Sequence, residues 1–172
     1  MRTNRTRDSR LFGLGWLAVV AWLPIGACAG GSENMNAERL REIGAGYTAA
    51  WNAMDPDAVA SFHDSSSSLQ VNDAEPAVGL EAIAEVAQGF MTAFPDMHLA
   101  MDSIRATPAG AEYFWTFSGT NTGPDGTGNA VRFSGYEEWT LDDAGQITRS
   151  LGHFDEAEYQ HQLEVGVDAS SP

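Results

Sequence analysis

The sequence predicts an α+β fold, with helices grouped ahead of a curved antiparallel sheet. Three observations carry that expectation. Aromatic residues alternate with small or polar ones in Tyr113, Trp115 and Phe117, and again through Phe133, Gly135, Glu137 and Trp139. Such alternation marks strands with two chemically different faces. Turn formers, Asn121 to Gly128 and Asp142-Asp143-Ala144-Gly145, separate these strands. Upstream the apolar residues recur every three or four positions instead, as on one face of a helix. With helices laid over one face, the bent sheet closes as a cone around a pocket.

Taken in order, the chain begins with a leader. Arg2, Arg5, Arg7 and Arg10 stand against a single Asp8, and Leu11 to Leu23 is apolar. That run is short of the about twenty residues that span a bilayer. A basic start, a short apolar run and small residues after it describe a secretory signal peptide over 1–27. Its end, Ile25-Gly26-Ala27-Cys28, resembles a bacterial lipoprotein lipobox, where the cysteine receives lipid. The alternative is an ordinary signal whose cut site contains a cysteine. Cys28 is the only cysteine in the chain, so lipidation leaves no thiol for a disulfide, a metal or a nucleophile. Residues 28–36, with Ala29-Gly30-Gly31-Ser32, read as a flexible tether. The expected location is the cell envelope, with Cys28 as lipid anchor. Ala29 is not the Asp that resembles an inner-membrane retention signal, which points to the outer membrane in a cell that has one.

Removing residues 1–27 takes four of the 9 basic and one of the 24 acidic residues, leaving 5 and 23 and a formal charge of −18. There is no Lys. Such a surface repels nucleic acid and anionic lipid and excludes them as partners.

The folded domain is expected over 37–163, followed by a disordered tail at 164–172. In the first helix, Glu33 to Met54, the residues Leu40, Ile43, Tyr47, Trp51 and Met54 form one stripe. Asp55-Pro56-Asp57 stops it and opens a short helix to Phe62. His63-Asp64 and the four serines after them read as a loop, and Leu69 and Val71 as a short strand. Gly79 opens a third helix that ends at Phe94, because the residue before a proline avoids the helical region. Four long strands follow from Met97 to Phe154, then a last helix, Glu156 to Leu163.

Phe94-Pro95-Asp96-Met97, Trp115 to Gly123, Val131 to Gly135, Ala144 to Ile147 and the closing Gln162-Leu163 together resemble the SnoaL-like polyketide cyclases. Ala50-Trp51-Asn52 fits as well, and the likeness covers about 37–163. The resemblance implies a nuclear transport factor 2-like cone, with three helices over the concave face of the sheet. That fold is often found as a dimer, so a second copy of the chain is a candidate partner. It further implies proton-transfer chemistry on a carbonyl compound by an Asp on the last strand, assisted by a His on the strand before. Counted from Gly145 and Ile147, the Asp position falls on Gly152 and the His position on Glu138. The chain departs from the family at both. Asp155 matches a second family acid, or caps the final helix.

Glu138 is therefore the expected catalytic base, if it points into the cone with Tyr136 as hydrogen-bond partner. The competing reading puts Tyr136 and Glu138 on a solvated face and Trp139 in the core. Trp51, Phe90 and Trp115 are the expected walls of a small-molecule site, with His63 near its mouth. His153 is expected outside. No histidine pair has ligand spacing, so neither a metal nor a cofactor is expected, and the Gly123–Gly128 loop lacks the Lys of a phosphate cradle. Two functions stay open: a cyclase- or isomerase-like enzyme, and a non-catalytic module binding a ligand or protein at the envelope.

Overall fold

The protein is described by a computed structural model over residues 29–167, with side chains from Ala37 onward. The signal peptide, Cys28 and residues 168–172 lie outside the described residues. Helix α1 (Ala29–Asn52) is followed by α2 (Pro56–Ala60), strand β1 (His63–Val71), β2 (Ala77–Val78) and α3 (Leu80–Ala93). Then come β3 (His98–Thr107), β4 (Gly110–Thr120), β5 (Ala130–Leu141), β6 (Ile147–Phe154) and α4 (Glu156–Val165). The six strands form one sheet in the order β2-β1-β6-β5-β4-β3, with β1 parallel to β6 and the other pairs antiparallel.

Three expectations are corrected. The segment read as a tether is carried into α1, which begins at Ala29. His63 to Ser68 is strand, not loop. Serine is a poor strand former, but here the backbone pairs with β6 across a bulge, and His63, Ser67 and Leu69 turn inward. Tail residues 164 and 165 belong to α4, and the Val167 N–H donates to the Ala130 carbonyl at 3.0 Å.

The helix ends follow their residues. The Asp55 carboxylate accepts from the Ala58 N–H at 3.0 Å, and Asp155 accepts from Glu158 at 3.0 Å, so Asp155 is a helix cap. Gly79 enters α3 with φ of 86°, a conformation that costs glycine little.

The alternation of β4 and β5 is realised as read. Tyr113, Trp115 and Phe117 point inward opposite Glu137, Gly135 and Phe133. Gly135 is required by its neighbour: a Cβ there would lie 2.5 Å from Cζ2 of Trp115, whose ring covers it. Helix α1 supplies Tyr47, which is fully buried with its ring edge-on to those of Trp51, Phe62, Tyr113 and Trp139. Each large ring removes on the order of 150–250 Å² from water, so this cluster dominates the core.

Candidate active site

One end of the cone is filled by Tyr47, Tyr113 and Trp139, the last two stacked with ring centroids 4.7 Å apart. Beside them a cavity of about 60 Å³ remains. Its walls come from α1 (Tyr47, Trp51), α3 (Val86, Phe90) and the inward faces of β1 and β3 to β6. Four of the fourteen lining residues carry side-chain nitrogen or oxygen: Tyr47, Trp51, Trp115 and Glu137. The volume matches roughly two water molecules and falls below the about 300–1,000 Å³ of drug-sized sites. A ligand of even one ring therefore requires Phe90 or Val86, both half-buried, to give way.

Glu137 is the carboxyl among the residues lining this cavity, and it is 8 % exposed. It lies on the same face of β5 as Phe133 and Trp139. Three donors converge on its Oε2: the Ser150 hydroxyl at 2.6 Å, the Trp139 Nε1–H at 2.8 Å and the Tyr47 hydroxyl at 3.4 Å. Oε1 accepts none of these bonds. Burial raises the pKa of the carboxyl, and the bonds from Ser150, Trp139 and Tyr47 oppose that without cancelling it. Burial and the nearby Glu137 charge in turn push the Tyr47 hydroxyl well above its ordinary value.

Two further residues of the cavity wall, Trp51 and Trp115, carry a polar group. The indole nitrogens of Trp51 and Trp115 are buried and have no hydrogen-bond partner among the described residues. Trp51 stands edge-on to Tyr47 with ring centroids 6.2 Å apart. Its indole lies near enough to the Tyr47 hydroxyl to oppose the rise in that group's pKa, without reaching full hydrogen-bond geometry.

The residues expected at the site separate into two groups. Trp51, Phe90 and Trp115 line the cavity. Glu138 does not: its side chain is 53 % exposed on the outer face, 3.2 Å from Nε2 of His153. Tyr136 is also outside, its ring stacked on those of His153 at 4.7 Å and Phe114 at 5.6 Å. The reason is the two-residue period. Phe133 and Trp139 must be buried, so the odd positions point inward and Glu138 outward. His63 is also corrected. It is 1 % exposed, not at a loop mouth, and its Nδ1 lies 2.9 Å from the Ser67 hydroxyl. Burial lowers its pKa to about 4, so it is neutral at physiological pH. Among the described residues no cluster of three His, Cys, Asp or Glu could hold a metal ion.

Sequence reasoning missed Glu137 although a signal for it was present. It shares the aromatic phase of β5, and a carboxylate in such a phase is the exception that draws notice.

The sequence pattern of the SnoaL-like polyketide cyclases matches residues 42–163. The chain belongs to this family. None of the curated proteins compared matches it significantly. Among solved structures, this SnoaL-like chain is similar in fold to AclR from Streptomyces galilaeus, a candidate hydroxylase. The identity is 21 %, with a TM-score of 0.63 over 77 % of this chain and 89 % of that one. It is also similar to a phenazine biosynthesis-related protein from Pseudomonas aeruginosa, at 16 % identity and a TM-score of 0.65 over 83 % and 96 %. TerC, co-crystallised with polyporic acid, is similar at 17 % identity and a TM-score of 0.60 over 72 % and 97 %. The ketosteroid isomerase-like and SnoaL-like neighbours agree with the cone-shaped α+β fold seen in this member.

Proposed function

We propose that this protein binds a small, largely apolar carbonyl compound in its cone and moves a proton on it, with Glu137 as the acid–base group. One observation carries the reading. The resemblance puts the family's acid–base Asp at position 152, where this chain has Gly152. Glu137 is the direct cross-strand partner of Gly152, and its Cγ lies 3.8 Å from where a Cβ at 152 would stand. A carboxyl from β5 thus reaches space that an Asp on β6 would fill. The acid is kept, moved across one strand pair.

The chemistry follows from the hydrogen bonds. Oε2 is held by three donors, which fixes the carboxyl, and Oε1 takes the proton. When a carbon next to the carbonyl loses its proton to Oε1, the C–H electron pair moves onto the carbonyl oxygen. Return of the proton to a different atom completes an isomerisation. Attack by the carbanion on a second carbonyl forms a C–C bond and an alkoxide, which takes the proton back from Oε1 and completes a cyclisation. Neither needs an oxidant. A carboxyl with a raised pKa is better matched to this task near neutral pH than an ordinary one. The polyporic acid co-crystallised with TerC supports a small-molecule site in the fold.

Solvent exchange tests the reading without knowledge of the product. The full-length protein in D2O is expected to speed deuterium incorporation beside the carbonyl of small cyclic ketones, followed by NMR. Glu137→Gln should abolish the effect and Glu138→Gln should preserve it. The opposite pattern would remove Glu137 from the mechanism. The second reading, a ligand- or protein-binding module without catalysis, is favoured by Gly152 standing where the resemblance puts the acid–base Asp, and it predicts no exchange in any variant.

For its location we propose the envelope, held by lipid on Cys28. Two acyl-type signals suffice for stable anchoring where one does not. Mass analysis of the mature protein should show a lipid-modified Cys28 at its N-terminus, and an unmodified chain beginning at Ala29 or later would overturn the anchor.

A further inference from the structure

Nonpolar walls leave the two unpartnered indoles as the cavity's most distinctive feature. An N–H shut away from water without a partner is costly, and most buried polar groups are paired. Here Trp51 and Trp115 are 9 % and 8 % exposed, both line one cavity, and both indole nitrogens lack a partner. They come from different elements, α1 and β4, so one local distortion does not account for both. Trp139, the third indole of the described domain, donates to Glu137 at 2.8 Å. Where a partner exists inside this core, an indole has found it.

Edge-on ring contacts alone would not select tryptophan at these positions, although the six-membered ring of Trp115 also covers Gly135. The rings of Trp51 and Trp115 touch other aromatics edge-on, Phe90 at 6.3 Å and Phe133 at 5.8 Å, contacts that a phenylalanine could also make. What the indole adds is the donor. We infer that Trp51 and Trp115 are specificity residues, each donating its N–H to an oxygen of the ligand. The site then selects a compact neutral molecule with two carbonyl-type acceptors over a hydrocarbon of the same shape. This rests on the cavity proposed above as the ligand site, but not on Glu137 acting in catalysis.

A series of one shape separates the possibilities: cyclohexane-1,4-dione, cyclohexanone and cyclohexane carry two, one and no acceptors. Each is titrated into the full-length protein while the indole N–H signals are followed by two-dimensional NMR. The dione is expected to shift both the Trp51 and Trp115 signals downfield. It should bind about fivefold more tightly for each acceptor, the equivalent of about 1 kcal/mol per hydrogen bond. Trp51→Phe and Trp115→Phe should each cut the dione's preference over cyclohexane, measured in the same variant, by about fivefold. Equal affinity for all three compounds, with unmoved indole signals, would overturn the inference and assign the donors to water. If either variant fails to fold, the shifts in the unaltered protein still decide. Loss of exchange chemistry with dione binding intact would overturn the catalytic proposal alone.

Discussion

Glu137 and His63 are both buried, and their linkage to pH runs in opposite directions. Burial raises the Glu137 pKa above its ordinary 4.5, so the folded state holds this proton more tightly than the unfolded chain. Its contribution is fully present below that value and is lost as pH rises through the folded pKa. Glu137→Gln mimics the protonated form and should hold its stability over that window. The gap between variant and wild type in urea melts is expected to widen as pH is raised, and a gap independent of pH would refute the burial argument. His63 behaves conversely, because its pKa falls from 6.5 to about 4. The unfolded chain then binds the extra proton, so stability is complete above 6.5 and declines as pH drops towards 4. At about 1.4 kcal/mol for each unit, the loss from this residue approaches about 3 kcal/mol. His63→Gln should remove that acid-side slope, read from melts at pH 7 and pH 4.5.

At the level of the elements, two amide side chains act as backbone substitutes. Asn52, at the end of α1, donates to the Leu99 carbonyl at 2.8 Å and accepts from the Leu99 N–H at 2.7 Å. This fixes α1, and with it Trp51, against β3. Gln162 does the same for α4, accepting from the Arg132 N–H at 2.6 Å and donating to its carbonyl at 2.9 Å. Helix α4 in turn lays Tyr159 on Phe133 and Phe154, which line the cavity. Each alanine replacement should cost about 1–3 kcal/mol, since a backbone pair loses its partners. Gln162→Ala should in addition speed amide exchange throughout α4 while leaving β3 protected. Uniform exchange across the domain would show instead that α4 does not open separately.

At the scale of the whole molecule, the cone is a wall of aromatic rings with one acid inside it. Its exchangeable feature is the strand from which that acid comes. A Cβ at Gly152 would meet the Gln70 carbonyl at 3.6 Å and Glu137 Cγ at 3.8 Å, both ordinary contacts. Gly152→Asp is therefore expected to fold. Alone, it sets two carboxyls against each other and should raise the pKa of one of them further, shifting any pH–rate profile to higher pH. Combined with Glu137→Gln, it should restore deuterium exchange that the single Gln variant loses. A dead double variant would mean that the space at 152 does not reach the substrate.

The sequence by itself determined the class of this fold and nearly every element. Periods of two and of three to four residues are local, and so are the stops at Pro95, Gly79 and the turn at Asp142. It also offered Trp51, Phe90 and Trp115 among several large rings for the inside of the cone, but which of them line the cavity was decided by the tertiary structure. The serine-rich start of β1 was legible only in the tertiary structure, since its partner, β6, lies some eighty residues away in sequence. The site was divided in the same way. Carrying the family's positions forward pointed to Glu138, whereas the aromatic phase of β5 buries Glu137 and turns its neighbour to water. Only the assembled sheet decided that Glu137 faces Gly152, because cross-strand register depends on bulges and turns that no local pattern records.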